Sequence, residues 1–298
     1  MPIETLLEAW NNFFFAPISV YPIAVFRIIF GCVLLTDAIY LQNRAELYLG
    51  PAGLTEYNRY VKRAGGVSMS LFLYLPGTMR SAQLIMAVHL TAIIMLIIGF
   101  LTPLSAVLAY ITTRSIVSRT DHLTNGGDAV AKVMCFLLIF TPCGNTLSLD
   151  ALLFNLPENL NNSPAEQAPW AQRLMQIQLC FIYFNTMYWK LKGKTWREGT
   201  AIYYAVSNDM YRLFKFPNFL LKKSLVQIMT WGVLIFELLL APGLWITELS
   251  PWFVGGAMLM HLSFMIFLNI HLFSLYMMSV LILFISPAVI TSAISLIT

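Results

Sequence analysis

Lys190 is the residue whose type and setting best suit it to moving a proton. It closes the apolar run 175–189 and is flanked by Trp189 and Leu191. Desolvation against an apolar wall disfavours the ammonium form of a lysine. A neutral amine can accept a proton, so Lys190 is a candidate general base. Gln176, Tyr183, Thr186 or Met187, and Lys190 recur at helical spacing, which makes one face of that helix more polar than the rest. The competing reading is a lysine snorkelling from a helix end, and Lys192 and Lys194 follow directly. His261, within another apolar run, is the candidate substitute acid or base.

More polar residues sit inside or beside apolar runs: Arg27, Asp37, His89, Arg114, Asp128, Lys132, Glu237, Asn269 and His271. A charge at bilayer depth costs at least about 2.5–3.5 kcal/mol, so each needs a partner, a water-filled cavity or a function. Arg27 and Asp37 are ten residues apart, roughly 15 Å along a helix. They lie at different depths and need partners on other helices, and Glu237 is the expected partner for an arginine. Two readings stay open for the set: polar glue between helices, or the lining of a buried functional cavity.

The elements that must position these groups follow from composition. Of 298 residues, 58% are hydrophobic and 11% charged, where soluble domains carry about a quarter charged. That leaves too little polar surface to cover a soluble globule. It excludes a soluble enzyme, a coiled coil, a disordered chain and a secreted disulfide scaffold. Cys32, Cys135, Cys143 and Cys180 lie in or beside apolar runs without CxxC or Cys/His spacing, so no metal site is expected. The fold class predicted is all-α: a polytopic membrane bundle of about eight spans, within a range of seven to nine. The runs are 20–40, 82–101, 104–117, 129–142, 175–189, 225–247, 252–270 and 272–290. The third, fourth and fifth are short on strict hydrophobicity and must continue through polar residues that face protein. Residues 1–19 read as an interfacial amphipathic segment with Trp10 and three consecutive Phe, and 20–298 as one membrane domain. The connection 155–164 reads as a polar loop. No cleaved signal peptide is expected.

Charge predicts orientation. Segments 41–81 and 190–224 hold five and eight Lys or Arg, whereas 1–19, 143–170 and 248–251 hold none. The positive-inside rule puts the basic segments in the cytoplasm and both termini outside. The basic residues are thus a topology signal, and no nucleic-acid partner is expected.

Three ordered motifs carry a resemblance. Ile23-Ala-Val-Phe-Arg-Ile-Ile-Phe-Gly31, followed by Asp37, resembles the opening of the HTTM (horizontally transferred transmembrane) domain. Vitamin K-dependent γ-glutamyl carboxylase shares that domain with many bacterial membrane proteins. Tyr183-Phe184, Lys190-Leu191 and Trp196-x-Glu198-Gly199 are similar to its Y-F…K-L…W-x-E-G run, with one extra residue between the lysine and the tryptophan. Asn269-x-x-Leu272-Phe273-Ser274 is similar to its N-x-x-L-F-S, and Ser148-Leu-Asp150 is a weaker match.

The resemblance implies that Lys190 is the base that deprotonates a reduced, vitamin K-like quinone. In the carboxylase the resulting anion reacts with O2, a strong alkoxide base forms, and the glutamate carbanion it generates traps CO2. Tyr183, Trp196 and Asn269 are then candidates for the cofactor pocket, and Glu198 either orients Lys190 or caps a turn. Arg27, Asp37, Asn125 and Glu237 are expected to form a structural polar core. The implied partners are the lipid bilayer and a peptide substrate or small soluble protein, in a bacterial cytoplasmic membrane. The alternative it implies is an accessory role in maturing or exporting a secreted peptide. The sequence departs from the carboxylase at Asn125-Gly126-Gly127-Asp128, where the carboxylase has Asn-Asn-His-Ser. Gly127 stands in place of an assisting histidine, and His122, five residues earlier, is a candidate substitute. The carboxylase also directs its chemistry to the lumen, opposite to the side that the charge count assigns to Lys190.

Overall fold

The computed structural model describes residues 3–64, 69–120, 124–154, 166–209 and 213–296. It divides into two compact bodies, Met1–Arg173 with Ile290–Thr298, and Leu174–Val289. In chain order the helices are α1 (Ile3–Phe15), α2 (Tyr21–Gln42), α3 (Ala45–Leu49), α4 (Tyr57–Ala64), α5 (Met79–Ile98), α6 (Thr102–Arg119), α7 (Gly126–Leu138) and α8 (Leu149–Leu153). They continue with α9 (Trp170–Lys192), α10 (Lys194–Arg197), α11 (Ala201–Ser207), α12 (Lys223–Gly243), α13 (Ser250–Phe267), α14 (His271–Leu281) and α15 (Pro287–Ser295). The extended structure among the described residues is one two-residue antiparallel pair, Ile18–Ser19 with Glu166–Gln167.

In the first body α2 packs on α5, α5 on α6, and α6 on α7. Phe26 and Phe30 stack at 5.0 Å between ring centres and are fully buried with Ile93 and Leu96. His89 bonds Thr112 Oγ1 at 2.8 Å, so this buried histidine is satisfied between α5 and α6. Thr112 and Ser115 turn their hydroxyls onto the carbonyls of Leu108 and Ile111, both at 2.7 Å. That back-bonding lets α6 carry buried hydroxyls without leaving them unpaired.

The turn from α5 to α6 is built by Gly99. Its φ of +68° closes α5, with Phe100 N–H reaching back to Met95 O at 2.9 Å. Left-handed backbone is cheap only for glycine. A methyl here would also overlap Ser148 Cβ and the Arg27 guanidinium. Gly99→Ala is therefore expected to destabilise by about 2–4 kcal/mol, from backbone strain plus overpacking. Denaturant unfolding in micelles measures it, with Gly255→Ala as the control because an added Cβ there meets nothing within 4 Å. Equal midpoints for the two variants would refute the assignment.

In the second body α13 packs on α14 and on α12, and α11 packs on α12. Its core includes Met175, Leu179, Leu240, Tyr276, Val280 and Leu281. Gln176 donates to Leu283 O at 2.7 Å, and Ile202 N–H to Thr230 Oγ1 at 3.3 Å.

All eight apolar runs coincide with helices. Among the described residues, α2, α5, α12 and α13 are long and apolar enough to cross a membrane, and a fifth span is added if the bent pair that ends the chain counts as one. Two helices with many polar positions, α6 and α9, run to 18 and 23 residues, and α7 to 13. The run 272–290 is not one straight helix: it bends by 102° between Phe284 and Pro287. Pro287 has no N–H to donate and pushes Ser286 out of helical geometry. Large apolar side chains cover the outer faces of the long helices, among them Leu84, Ile94, Ile228, Ile235, Leu259 and Trp252. Leu6, Leu7 and Trp10 of α1 are likewise exposed.

Candidate active site

The chemistry-bearing groups of the second body converge from three helices. Tyr183, Met187 and Lys190 follow one another at i, i+4 and i+7 along one face of α9. Lys190 Nζ donates to Glu237 Oε1 of α12 at 2.5 Å. The carboxylate side chain is only 4% exposed and the lysine side chain 21%. The indole of Trp196 lies under the same ammonium, 4.8 Å from ring centre to Nζ. The amine therefore faces a carboxylate and an aromatic ring, where sequence reasoning expected an apolar wall. Glu237, expected to partner an arginine, holds Lys190 instead.

A second polar pair adjoins the first. Tyr183 Oη and His261 Nε2 are 2.8 Å apart, and both residues are buried. The Lys190 charge acts on His261 and the Glu237 charge on Tyr183, which puts the two pairs within electrostatic reach. Phe264 and Phe273 set their rings edge-on to the imidazole at 5.6 and 5.9 Å. Among the described residues, two buried polar atoms of these pairs have no protein hydrogen-bond partner, Glu237 Oε2 and His261 Nδ1, and Ser274 Oγ on α14 is likewise buried without one. Buried polar atoms are usually paired, and leaving one unpaired costs about 1–3 kcal/mol. Ser274 escaped sequence reasoning except as the end of a motif; its signal was a hydroxyl in an apolar run.

The remaining candidates lie elsewhere. Glu198 ends α10 and pairs with Lys194 at 3.7 Å, at the surface, so it does not orient Lys190. Its backbone N–H closes α10 on Lys194 O. Asn269 lies in the short connection between α13 and α14. Asn125 belongs to the first body, where it caps α7: its Oδ1 accepts from Gly127 N–H, and its own N–H donates to Asp128. Asp37 is half-buried on α2. His122 and the polar loop 155–164 lie outside the described residues. Among the described residues no group of three or more His, Cys, Asp or Glu could hold a metal.

Arg27 belongs to a structural knot in the first body. Fully buried, it donates to Cys143 O at 2.9 Å and to Leu147 O. Asp150, within reach of its charge, caps the start of α6 by accepting the N–H groups of Leu101 and Thr102 at 2.8 and 2.7 Å. Burial pushes the Asp150 carboxyl up, but these donors and Arg27 pull it further, to below the ordinary carboxylate range. The motifs around Arg27 and around Ser148-Leu-Asp150 thus meet in space.

These arrangements sit in a chain with recognisable relatives. The sporulation-delaying protein SdpB of Bacillus subtilis is 34% identical over 130 residues, 41% of this chain and 39% of SdpB. Over that match the chain spans well under half of SdpB's length. The uncharacterized protein YitO of the same organism is 26% identical over 255 residues, 83% of this chain and 80% of YitO. No solved structure matches the chain significantly. The HTTM domain model matches residues 15–288, nearly the whole chain, so this apolar helical protein belongs to the HTTM domain family of membrane proteins.

Proposed function

We propose that the second body is a membrane-embedded proton-transfer centre, with Lys190 as the base in quinol-dependent or peptide-modifying chemistry. The carrying observation is the 2.5 Å contact between Lys190 Nζ and a nearly fully buried Glu237 carboxylate. As an ion pair the amine already holds its proton and cannot act as a base. Shifting one proton from Nζ to Oε1 along the existing hydrogen bond frees the amine lone pair. A hydroxyl presented to that lone pair loses its proton to Nζ, and the Trp196 ring favours the ammonium that forms. The Tyr183–His261 pair is positioned to hold the reacting group.

A reduced, vitamin K-like quinone would supply two acidic hydroxyls and a store of electrons on a flat apolar ring. The residues present fit such a ring. Phe264 and Phe273 offer apolar walls, and Glu237 Oε2 and His261 Nδ1 are polar atoms with bonds to spare. In this reading the protein crosses a bacterial cytoplasmic membrane about eight times, with α1 lying in the interface.

The test is turnover in membranes given reduced quinone and O2. Lys190→Ala is expected to lower the rate at least about 100-fold, the usual weight of a positioned general base. Full activity in that variant would remove Lys190 from the mechanism.

A second reading is an accessory role in maturing or exporting a secreted peptide. The similarity to a protein named for delaying sporulation favours it. Mass spectrometry of a co-expressed peptide, with and without this protein, separates the readings: added mass requires chemistry, whereas altered export with unchanged mass requires only handling.

A further inference from the structure

Every Lys and Arg of the second body lies in one stretch, 190–223. That stretch holds eight cations against two acids, Glu198 and Asp209. Glu237 takes Lys190, and Glu248, the remaining acid of this body, follows the opposite end of α12. Eight cations against three acids leave the stretch positive, whichever side chains pair. Lys192, Arg197, Lys215, Lys222 and Lys223 are exposed and form no ion pair among the described residues.

The stretch covers one end of the second body. It leaves the C-terminus of α9, packs α11 on α12, and enters α12 at Lys223. It also crosses the end of α13: Leu213 N–H donates to Phe267 O at 3.4 Å, and the Phe216 ring meets the Phe267 ring edge-on at 5.1 Å. Six aromatic side chains among these cations, Tyr188, Trp189, Tyr203, Tyr204, Phe214 and Phe219, stay 45–63% exposed. Lys192 Nζ lies 4.3 Å from the Tyr188 ring centre and 4.8 Å from that of Trp189. Exposed rings interleaved with lysines suit the headgroup layer of a bilayer, where the rings reach the acyl boundary and the ammonium groups stay at the phosphates.

We propose that this end of the second body binds anionic phospholipid headgroups, with Lys192, Arg197, Lys215, Lys222 and Lys223 on the phosphates and the exposed rings at the acyl boundary. Clusters of about four to eight Lys or Arg next to a membrane helix attract anionic lipid. A zwitterionic headgroup carries no net charge, so it gains from the rings but little from the cations. A topology signal acts during insertion and needs no lipid preference afterwards. Selectivity for anionic lipid therefore separates a binding surface from a topology signal.

The test uses the whole protein in a neutral detergent, titrated with phosphatidylglycerol or phosphatidylcholine and followed by native mass spectrometry. Phosphatidylglycerol is expected to bind at least about ten-fold more tightly, with the preference shrinking as salt rises from about 0.05 to about 0.5 M. K215Q/K222Q/K223Q is expected to weaken phosphatidylglycerol binding at least about ten-fold, while phosphatidylcholine binding changes less than about two-fold. K215R/K222R/K223R keeps the charge and retains binding within about three-fold. R59Q/K62Q/R80Q removes the same charge from the first body and is expected to retain binding within about three-fold. Should the triple glutamine variant fail to fold, K222Q alone is expected to weaken binding about three-fold, read against K62Q. Equal affinity for the two lipids, selectivity that survives the glutamine replacements, or an equal loss in the first-body control overturns the surface.

Discussion

Lys190→Met is expected to destabilise the protein by about 3–5 kcal/mol, because it leaves a buried carboxylate without its counter-charge. Glu237 is 4% exposed, and among the described residues its Oε2 has no partner and its charge no other ion pair. Glu237→Gln is expected to cost less, about 1–3 kcal/mol. Lys190 keeps 21% exposure and a Trp196 ring, and its flexible stem can carry the ammonium outward. Joining Lys190→Met with Glu237→Leu should return stability to within about 1 kcal/mol of the parent, since a matched apolar pair replaces a buried ion pair at little net cost. A double-mutant cycle in micelles measures the coupling. Additive losses would mean that the contact carries no energy. Activity divides differently: the double replacement restores the fold but supplies no base, so a recovered fold without turnover is the signature of a chemical role.

Arg27→Met is expected to cost about 3–5 kcal/mol as well, through a separate knot in the first body. Three dependencies fail together. The carbonyls of Cys143 and Leu147 lose their donor, and the Asp150 carboxylate loses the neighbouring positive charge while still capping α6. Arg27→Lys should recover less than half of the loss, because a single ammonium does not reproduce the planar fork that reaches two carbonyls at once. Thermal unfolding midpoints in micelles check this order. A methionine variant that melts with the parent would show that neither charge nor geometry at position 27 matters.

Much of this was legible in one dimension. The runs of apolar residues marked where every long helix would form, because a chain short of polar surface must satisfy its backbone within helices. Lys190, Tyr183 and His261 stood out as polar groups in apolar runs, and the helical spacing of Tyr183 and Lys190 on α9 was readable. The partnerships were not. Glu237 looked like an arginine's partner, and the fold gave it to Lys190. Glu198, eight residues after Lys190, looked close along the chain, yet the turn into α10 aims it at Lys194. The break before Pro287 was in the letters and was missed, since hydropathy alone runs straight through it.

Composition and periodicity alone determined that this is an all-helical membrane protein, roughly where its long helices lie, and which polar side chains sit in apolar runs. Those properties depend on each residue's own solvation and on neighbours within a few positions. Only the tertiary structure decided that Lys190 meets Glu237 across 47 residues and Tyr183 meets His261 across 78. It likewise decided that Arg27 clamps carbonyls more than 110 residues away. Such pairings depend on how helices pack and rotate against one another, and that information is spread over many weak contacts rather than held at the residues that meet.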